Sequence, residues 1–425
     1  MTYWEFAIFL PGVQARHVAQ GLGGGYSFGN DFYPIWLASR EWMHHRTDPY
    51  GPEMTQAIQT GLFGRPLDRH LPGDPPPSYR VLAYPAFTLI LAVPLALLPF
   101  PVTRLILAGL LPLATALSIL LWSRALRFRA SPSVLGIVIL LMLSSYAGLE
   151  ALFAEQPSLL VGFLMSAAVY ALTKGARSAA GILLACTLIK PQMTALLIFY
   201  LLLGSLAQWR DRRRFVYSFL AASALLCFSA LVFWPHWIFQ WLRVLAGYKD
   251  YSTPALTIDL LGRYPGIVMT AILLAAALAM AGRARNAPES SAEFALTVSF
   301  LLTVTALTLL PGHAVYDHVI LLPAIILVLR FRRQVAAVRG LRMMLLVAAA
   351  ALFWQWLGAL AVVALRLLLG PARVSSTAFL LLPIRTAGAI PFAILALLTL
   401  LARDLMRGRL LCPDLRSNVP GEGSS

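Results

Sequence analysis

Apolar runs separated by short polar connectors recur along the chain from residue 102 to residue 401. A helix needs roughly 20 apolar residues to cross a bilayer, and about 17 at the least. The runs that reach or approach this length are 102–122, 131–149, 158–172, 178–189 with 192–207, 215–234, 266–281, 294–310, 319–330, 342–365 and 376–401. They predict an all-α polytopic membrane bundle of about 11–12 transmembrane helices. One more apolar run, 82–98, lies in the stretch VLAYPAFTLILAVPLALLPFP, which carries Pro85, Pro94, Pro99 and Pro101. Proline removes a helical N–H and clashes with the preceding turn, so this run is expected to be re-entrant or interfacial.

The connectors orient the bundle. Arg124, Arg127 and Arg129 follow one run; Arg210, Arg212, Arg213 and Arg214 follow another; Arg330, Arg332, Arg333, Arg339 and Arg342 separate two more. Short arginine-rich connectors stay cytoplasmic. Alternation then puts loop 14–80, the turn 150–157, residues 190–192, loop 235–265, residues 311–318 and 366–375 outside, provided that 82–98 does not cross. Three parts follow: a membrane module over 1–234 that contains outer loop 14–80, further transmembrane helices over 235–401 that complete a substrate cavity, and a cytoplasmic tail over 402–425.

Composition agrees. Of 425 residues 59% are hydrophobic and only 12% charged, too apolar for a soluble chain to cover its own surface. The net charge of +16 sits largely in the cytoplasmic connectors, so it signals orientation and lipid contact rather than nucleic acid. Cys186 and Cys227 lie inside apolar runs and Cys412 in the tail, so no disulfide is expected. The start, MTYWEFAIFLPG, lacks the basic n-region of a cleavable leader. Gly21 to Gly25 lacks dinucleotide-binding spacing and reads as loop.

Loop 14–80 has structure of its own. Asn30 is placed to cap a helix over about 31–45 with Phe32, Trp36 and Met43 near one face, and Pro52 suits the start of a second. Tyr33, Trp36, Trp42 and Tyr50 favour the headgroup level, so two helices are expected to lie on the membrane over a cavity.

The candidate chemistry gathers on the outer face. Asp31, in SFGNDFYPIW, stands where a helix dipole favours an ionised carboxylate suited to general-base work; a plain helix-start charge is the competing reading. Lys190, followed by Pro191 and Gln192, is costly at membrane depth unless it reaches water, a partner or a substrate anion; it could equally snorkel to headgroups. Glu155 and Gln156 could bind hydroxyl-rich ligands or cap a helix. In PGHAVYDH, His313, Asp317 and His318 suggest a donor to a sugar or phosphate oxygen rather than a metal site, since no second cluster supplies further ligands. Arg263, Arg243, Lys249 and Arg385 are outer cations that could face phosphate or lipid.

The segments NDFYPIWLASREWMHHRTDPY (30–50), YRVLAYPAFTLILAVPLALLPF (79–100), EQPSLLVGFL (155–164) and AAGILLACTLIKPQMTALLIFYLLL (179–203) together resemble glycosyltransferase family 87 of the GT-C superfamily. Family members similarly carry an early Asp-Phe, an Asp-Pro-Tyr turn, a Tyr-Pro run, a Gln-containing span start and a helix leading to Lys-Pro. Asp317-His318 before an apolar run is also similar. Two departures stand out: only Tyr3 to Pro11 remains of the usual first span, and Tyr-Pro-Pro and Gly-Gln become Tyr84-Pro85-Ala86 and Glu155-Gln156.

The resemblance implies a GT-C-like helical bundle with its site at the outer face of a bacterial cell membrane. The implied partners are a polyprenyl-phosphate-linked sugar donor, most often of mannose and in some members of arabinofuranose, and a lipid or glycan acceptor. It implies inverting transfer with Asp31 as base, Lys190 stabilising the leaving phosphate, and neither cofactor nor metal required. Gln192, Glu155, Gln156, His313, Asp317, His318, Arg263 and Tyr84 complete the expected substrate-binding set. A secondary transporter or lipid flippase is the alternative from another class; it would need a midplane site open to both sides and would commonly show an internal repeat, which this sequence lacks. A structural subunit of an envelope-assembly complex is the blander alternative.

Overall fold

The computed structural model describes residues 1–19, 21–22, 29–71, 74–248, 250, 252–375 and 378–406. Lys249, most of the glycine cluster, Cys412 and the tail beyond residue 406 lie outside them. Among the described residues there is no strand, only an isolated antiparallel bridge between Ala255 and Pro311. The protein is an all-α polytopic membrane protein.

Among the described residues five helices are long and apolar enough to cross a bilayer unaided: Phe100–Ala125, Trp209–Phe233, Arg263–Asn286, Arg339–Leu369 and Ala378–Asp404. Pro132–Ser144 and Tyr146–Phe153 pass together but meet at a 62° bend. The runs expected at 158–172, 178–189, 192–207 and 294–310 form helices of 10–17 residues, Pro157–Thr173, Arg177–Ile189, Pro191–Ala207 and Ala292–Thr308. By length and composition, five helices among the described residues pass alone, or six with the bent pair, and Pro157–Thr173, Pro191–Ala207 and Ala292–Thr308, at 17 residues each, stand at the lower limit for crossing. Prolines and polar breaks end the shorter helices early.

Ala292–Thr308 is the central post, buried on every side from Phe294 to Thr308. Its hydroxyls have no water to turn to, and each answers a carbonyl one turn back: Thr297 to Glu293, Ser299 to Ala295, Thr303 to Ser299, Thr305 to Leu301 and Thr308 to Val304, all at 2.8–2.9 Å. Pro191–Ala207, Ala389–Met406, Arg263–Arg283 and Leu322–Arg330 pack around it.

The run 82–98 folds as the ten-residue helix Phe87–Ala96, about 15 Å long and half the hydrocarbon thickness. It packs against Tyr33–His45 and touches Trp209–Phe233. A helix ending at this depth must have its last carbonyls satisfied by protein. Thr103 Oγ1 donates to Leu95 O at 2.8 Å, Arg40 Nη1 to Ala96 O at 3.4 Å and Trp36 Nε1 to Leu98 O at 3.0 Å.

The two helices expected in loop 14–80 form as Tyr33–His45 and Pro52–Phe63. Asn30 caps neither: the first begins after Phe32 without a side-chain cap, and Asn30 is buried with Oδ1 unpartnered. The N-terminal helix is longer than the stretch Tyr3 to Pro11, because residues 2–19 are continuously helical with a π-helical turn at Glu5–Phe9. Trp4 anchors it, donating from Nε1 to Leu380 O at 3.0 Å.

The run 131–149 breaks at Ser145, whose side chain accepts the Gly148 N–H, while Gln355 Oε1 takes the freed Tyr146 N–H at 2.6 Å. This exchange turns Tyr146–Phe153 across the bundle and carries Tyr146 and Glu150 to a cavity.

Candidate active site

That cavity has a volume of about 670 Å³ and lies among the ends of several helices. Pro157–Thr173 and Pro191–Ala207 both begin at it, each with proline at its first position and with Gln156 and Lys190 as the preceding residues. The unsatisfied N–H groups of both helix starts make this end of the bundle favourable to anions.

Asp31 reaches the wall through a strap. Gly29 N–H donates to Phe153 O at 2.8 Å and Asp31 N–H to Ala154 O at 3.2 Å, which ties the start of Tyr33–His45 to the end of Tyr146–Phe153. Gly29 makes the approach possible: it has φ +79°, and a Cβ there would strike the Glu155 carboxylate. One carboxylate oxygen of Asp31 takes the Arg80 guanidinium and the other the Gln156 amide N–H. Arg80 itself is in the left-handed region, φ 60°, and stands 5.2 Å over the Tyr79 ring.

Lys190 follows the 3₁₀ turn Thr187–Ile189 with φ −130° and ψ 75°, outside the α region that a following proline disfavours. Its side chain is 7% exposed and turned inward. Nζ donates to Asp317 Oδ1 at 2.7 Å, Ser158 Oγ at 2.7 Å and Gln156 Oε1 at 3.2 Å, and lies 5.1 Å from the Tyr316 ring centre. Snorkelling to headgroups is therefore not its arrangement. Tyr84 OH also approaches Gln156 Oε1, at 3.4 Å. Gln156 thus links two ion pairs, Asp31–Arg80 and Lys190–Asp317. Its orientation follows from chemistry, since lysine can only donate and an ionised carboxylate only accept.

His313 is held by an exchange with Thr253: His313 N–H donates to Thr253 Oγ1 at 2.9 Å, and that oxygen lies 3.0 Å from His313 Nδ1. Gly312 N–H adds a bond to Pro254 O at 2.8 Å. Trp241, from the helix Trp237–Tyr248, closes the wall by donating to Ala83 O at 3.0 Å. Burial pushes the phenol of Tyr248 up to about 12 and those of Tyr84 and Tyr316 well above the usual range, so all three remain neutral hydroxyls near pH 7.

Of the expected residues, Asp31, Tyr84, Gln156, Lys190, Gln192, His313 and Asp317 line this cavity; three others do not. Glu155 has φ 52° and turns away to Arg104, 3.6 Å off. His318 lines a separate, almost wholly apolar cavity of about 370 Å³, on the other side of the 3₁₀ segment Val315–Leu321 from Asp317. Arg263 stands exposed at the start of Arg263–Arg283. Arg243 and Arg385 also lie off the lining. Among the described residues no three His, Cys, Asp or Glu side chains gather as a metal-holding group.

Arg80, Glu150 and Ser158 were not foreseen. Arg80 follows a proline-rich tract like many surface arginines. Glu150 ends an apolar run and reaches the cavity only through the break at Ser145, where its carboxyl meets that of the fully buried Glu5. Ser158 opens a helix in a position where serine is routine.

The model of glycosyltransferase family 87 matches residues 82–311, just over half of the chain. That span takes in Tyr84, Gln156 and Lys190. No curated protein and no solved structure matches.

Proposed function

The chain belongs to glycosyltransferase family 87 and is a glycosyltransferase, and we propose that it transfers mannose from a polyprenyl-phosphate donor to a lipid-linked or envelope glycan acceptor, with inversion at the anomeric carbon. The observation that carries this reading is the placement of Asp31 and Lys190 in one cavity, joined through Gln156. In the proposed reaction Asp31 takes the proton of an acceptor hydroxyl. The freed oxygen bonds to the anomeric carbon from the side opposite the phosphate. The carbon–oxygen bond to phosphate breaks, and its electron pair leaves with the polyprenyl phosphate.

Each residue's part follows from what it offers. A carboxylate positioned beside an acceptor hydroxyl can take its proton, and proton transfer to a positioned group contributes typically 10²–10⁴-fold. Lys190 Nζ and the starts of Pro157–Thr173 and Pro191–Ala207 supply fixed positive potential for the departing phosphate. Tyr84 and His313 offer polar contacts to sugar hydroxyls. With arginine-rich connectors facing the cytoplasm, the cavity opens to the outer face of a bacterial inner membrane.

The test is transfer of radiolabelled mannose from polyprenyl-phosphate mannose in membranes containing the protein. Wild type is expected to label a lipid or glycan product. Asp31→Asn should abolish labelling, with the protein still inserted. Normal transfer by that variant would remove Asp31 from the role of base; movement of a solute with no donor consumed would favour transport instead.

A further inference from the structure

Both cations of the cavity are already engaged by carboxylates. Lys190 is held by Asp317, buried to 2% exposure, and by Ser158, which fixes it in place. Arg80 is different: its side chain is 19% exposed, its partner Asp31 is 14% exposed, and both line the open volume. The residue proposed to accept a proton is thus covered on one oxygen by a guanidinium and on the other by Gln156. With both oxygens so engaged, fewer of its lone pairs are open to an acceptor hydroxyl. A phosphate entering beside Lys190 offers the guanidinium fork two free non-bridging oxygens, whereas Asp31 offers one, its other oxygen being held by Gln156.

We propose that Arg80 is a second donor-phosphate ligand that exchanges Asp31 for the phosphate, so that the empty enzyme keeps its base covered and donor binding uncovers it. The inference rests on the proposed donor and adds to it a residue and an order of events. Gln156 keeps its bond to Asp31 during the exchange, so the carboxylate stays in position when Arg80 leaves. An acceptor hydroxyl that arrives before the donor meets a covered carboxylate and is not activated. One that arrives afterwards meets a free oxygen. The base is uncovered only in the donor complex, whichever substrate enters first.

The exchange makes an unusual statement about affinity: in the empty site Asp31 competes with phosphate for Arg80, so removing the carboxylate must tighten phosphate binding. The experiment is equilibrium binding of tritiated farnesyl phosphate to the full chain in detergent, for wild type, Asp31→Asn, Arg80→Gln and the double variant. Asp31→Asn is expected to bind about five- to tenfold tighter than wild type, within the usual range of coupling between two sites. Arg80→Gln is expected to bind more weakly. In the Arg80→Gln background, Asp31→Asn should add almost nothing, because the competition it relieves is gone.

Equal tightening with and without Arg80 would overturn the exchange and leave a general charge effect. Unchanged affinity in Asp31→Asn would overturn it as well, while leaving the donor reading intact. No binding by any variant would overturn the donor reading and this inference together. If Arg80→Gln does not fold, Arg80→Lys serves in its place: the tightening caused by Asp31→Asn should then shrink, because ammonium lacks the bidentate fork. Undiminished tightening in that background also overturns the exchange.

Discussion

Lys190 and Asp317 form the most deeply buried ion pair of the cavity. Removing one partner of such a pair leaves an uncompensated buried charge, which costs about 3–5 kcal/mol, whereas replacing both costs far less. Lys190→Met should therefore lower the melting temperature in detergent and raise the KM for donor. Lys190→Met with Asp317→Asn should recover most of the melting temperature without recovering transfer. A double variant with normal KM would remove Lys190 from the phosphate site. Glu155 gives a pH signature. Burial pushes its carboxyl up to about 7, against the pull of Arg104, from 4.5. A raised carboxyl pKa means that the folded state holds a proton the unfolded chain has released, so stability falls as pH rises from 4.5 to 7 and levels off above. The melting temperature of Glu155→Gln should lack this component, and parallel curves for the two proteins across that window would refute it. Asp31 was legible in the sequence because it stands at the start of a helix in the outer loop, and Lys190 because it sits between two apolar runs, where charge has a cost that must be answered. Their pairings were not, although Asp317 itself stood among the expected residues. Arg80 and Asp317 meet them across 49 and 127 positions of chain, and no local pattern encodes such a pairing.

Among the elements, the spacing of prolines and charges marked most helix starts to within a few residues, as at Pro157, Pro191 and Arg263. What stayed hidden is where an apolar run bends. Between 131 and 149 hydropathy is continuous, and the break at Ser145 depends on Gln355, 209 positions from Tyr146, replacing a helical acceptor. The close approach of Arg177–Cys186 to Trp209–Phe233 is another non-local fact. Gly181 faces the Phe215 carbonyl and Ser218 Oγ, and a Cβ would run into both. Small residues allow such contacts between helices in lipid, so Gly181→Val should force the pair apart at about 1–3 kcal/mol, the usual range for overpacking. A melting temperature equal to wild type would show that the interface yields without strain.

For the whole molecule, the class was legible from composition, because 59% hydrophobic and 12% charged residues leave only a bilayer as solvent. Which runs form long helices and which form short ones was not, since run length does not reveal where a helix bends or stops. The short helix Phe87–Ala96 makes the difference concrete, packed under Tyr33–His45 with its last carbonyls answered by side chains. An element that reaches only half the hydrocarbon depth imposes hydrophobic mismatch, and lipid beside it relaxes by thinning, at fractions of a kcal/mol per Å. In the reaction proposed above, lipid thinned at that flank would bring headgroups nearer to Asp31 and would shorten the lift of a sugar held on a membrane-bound carrier.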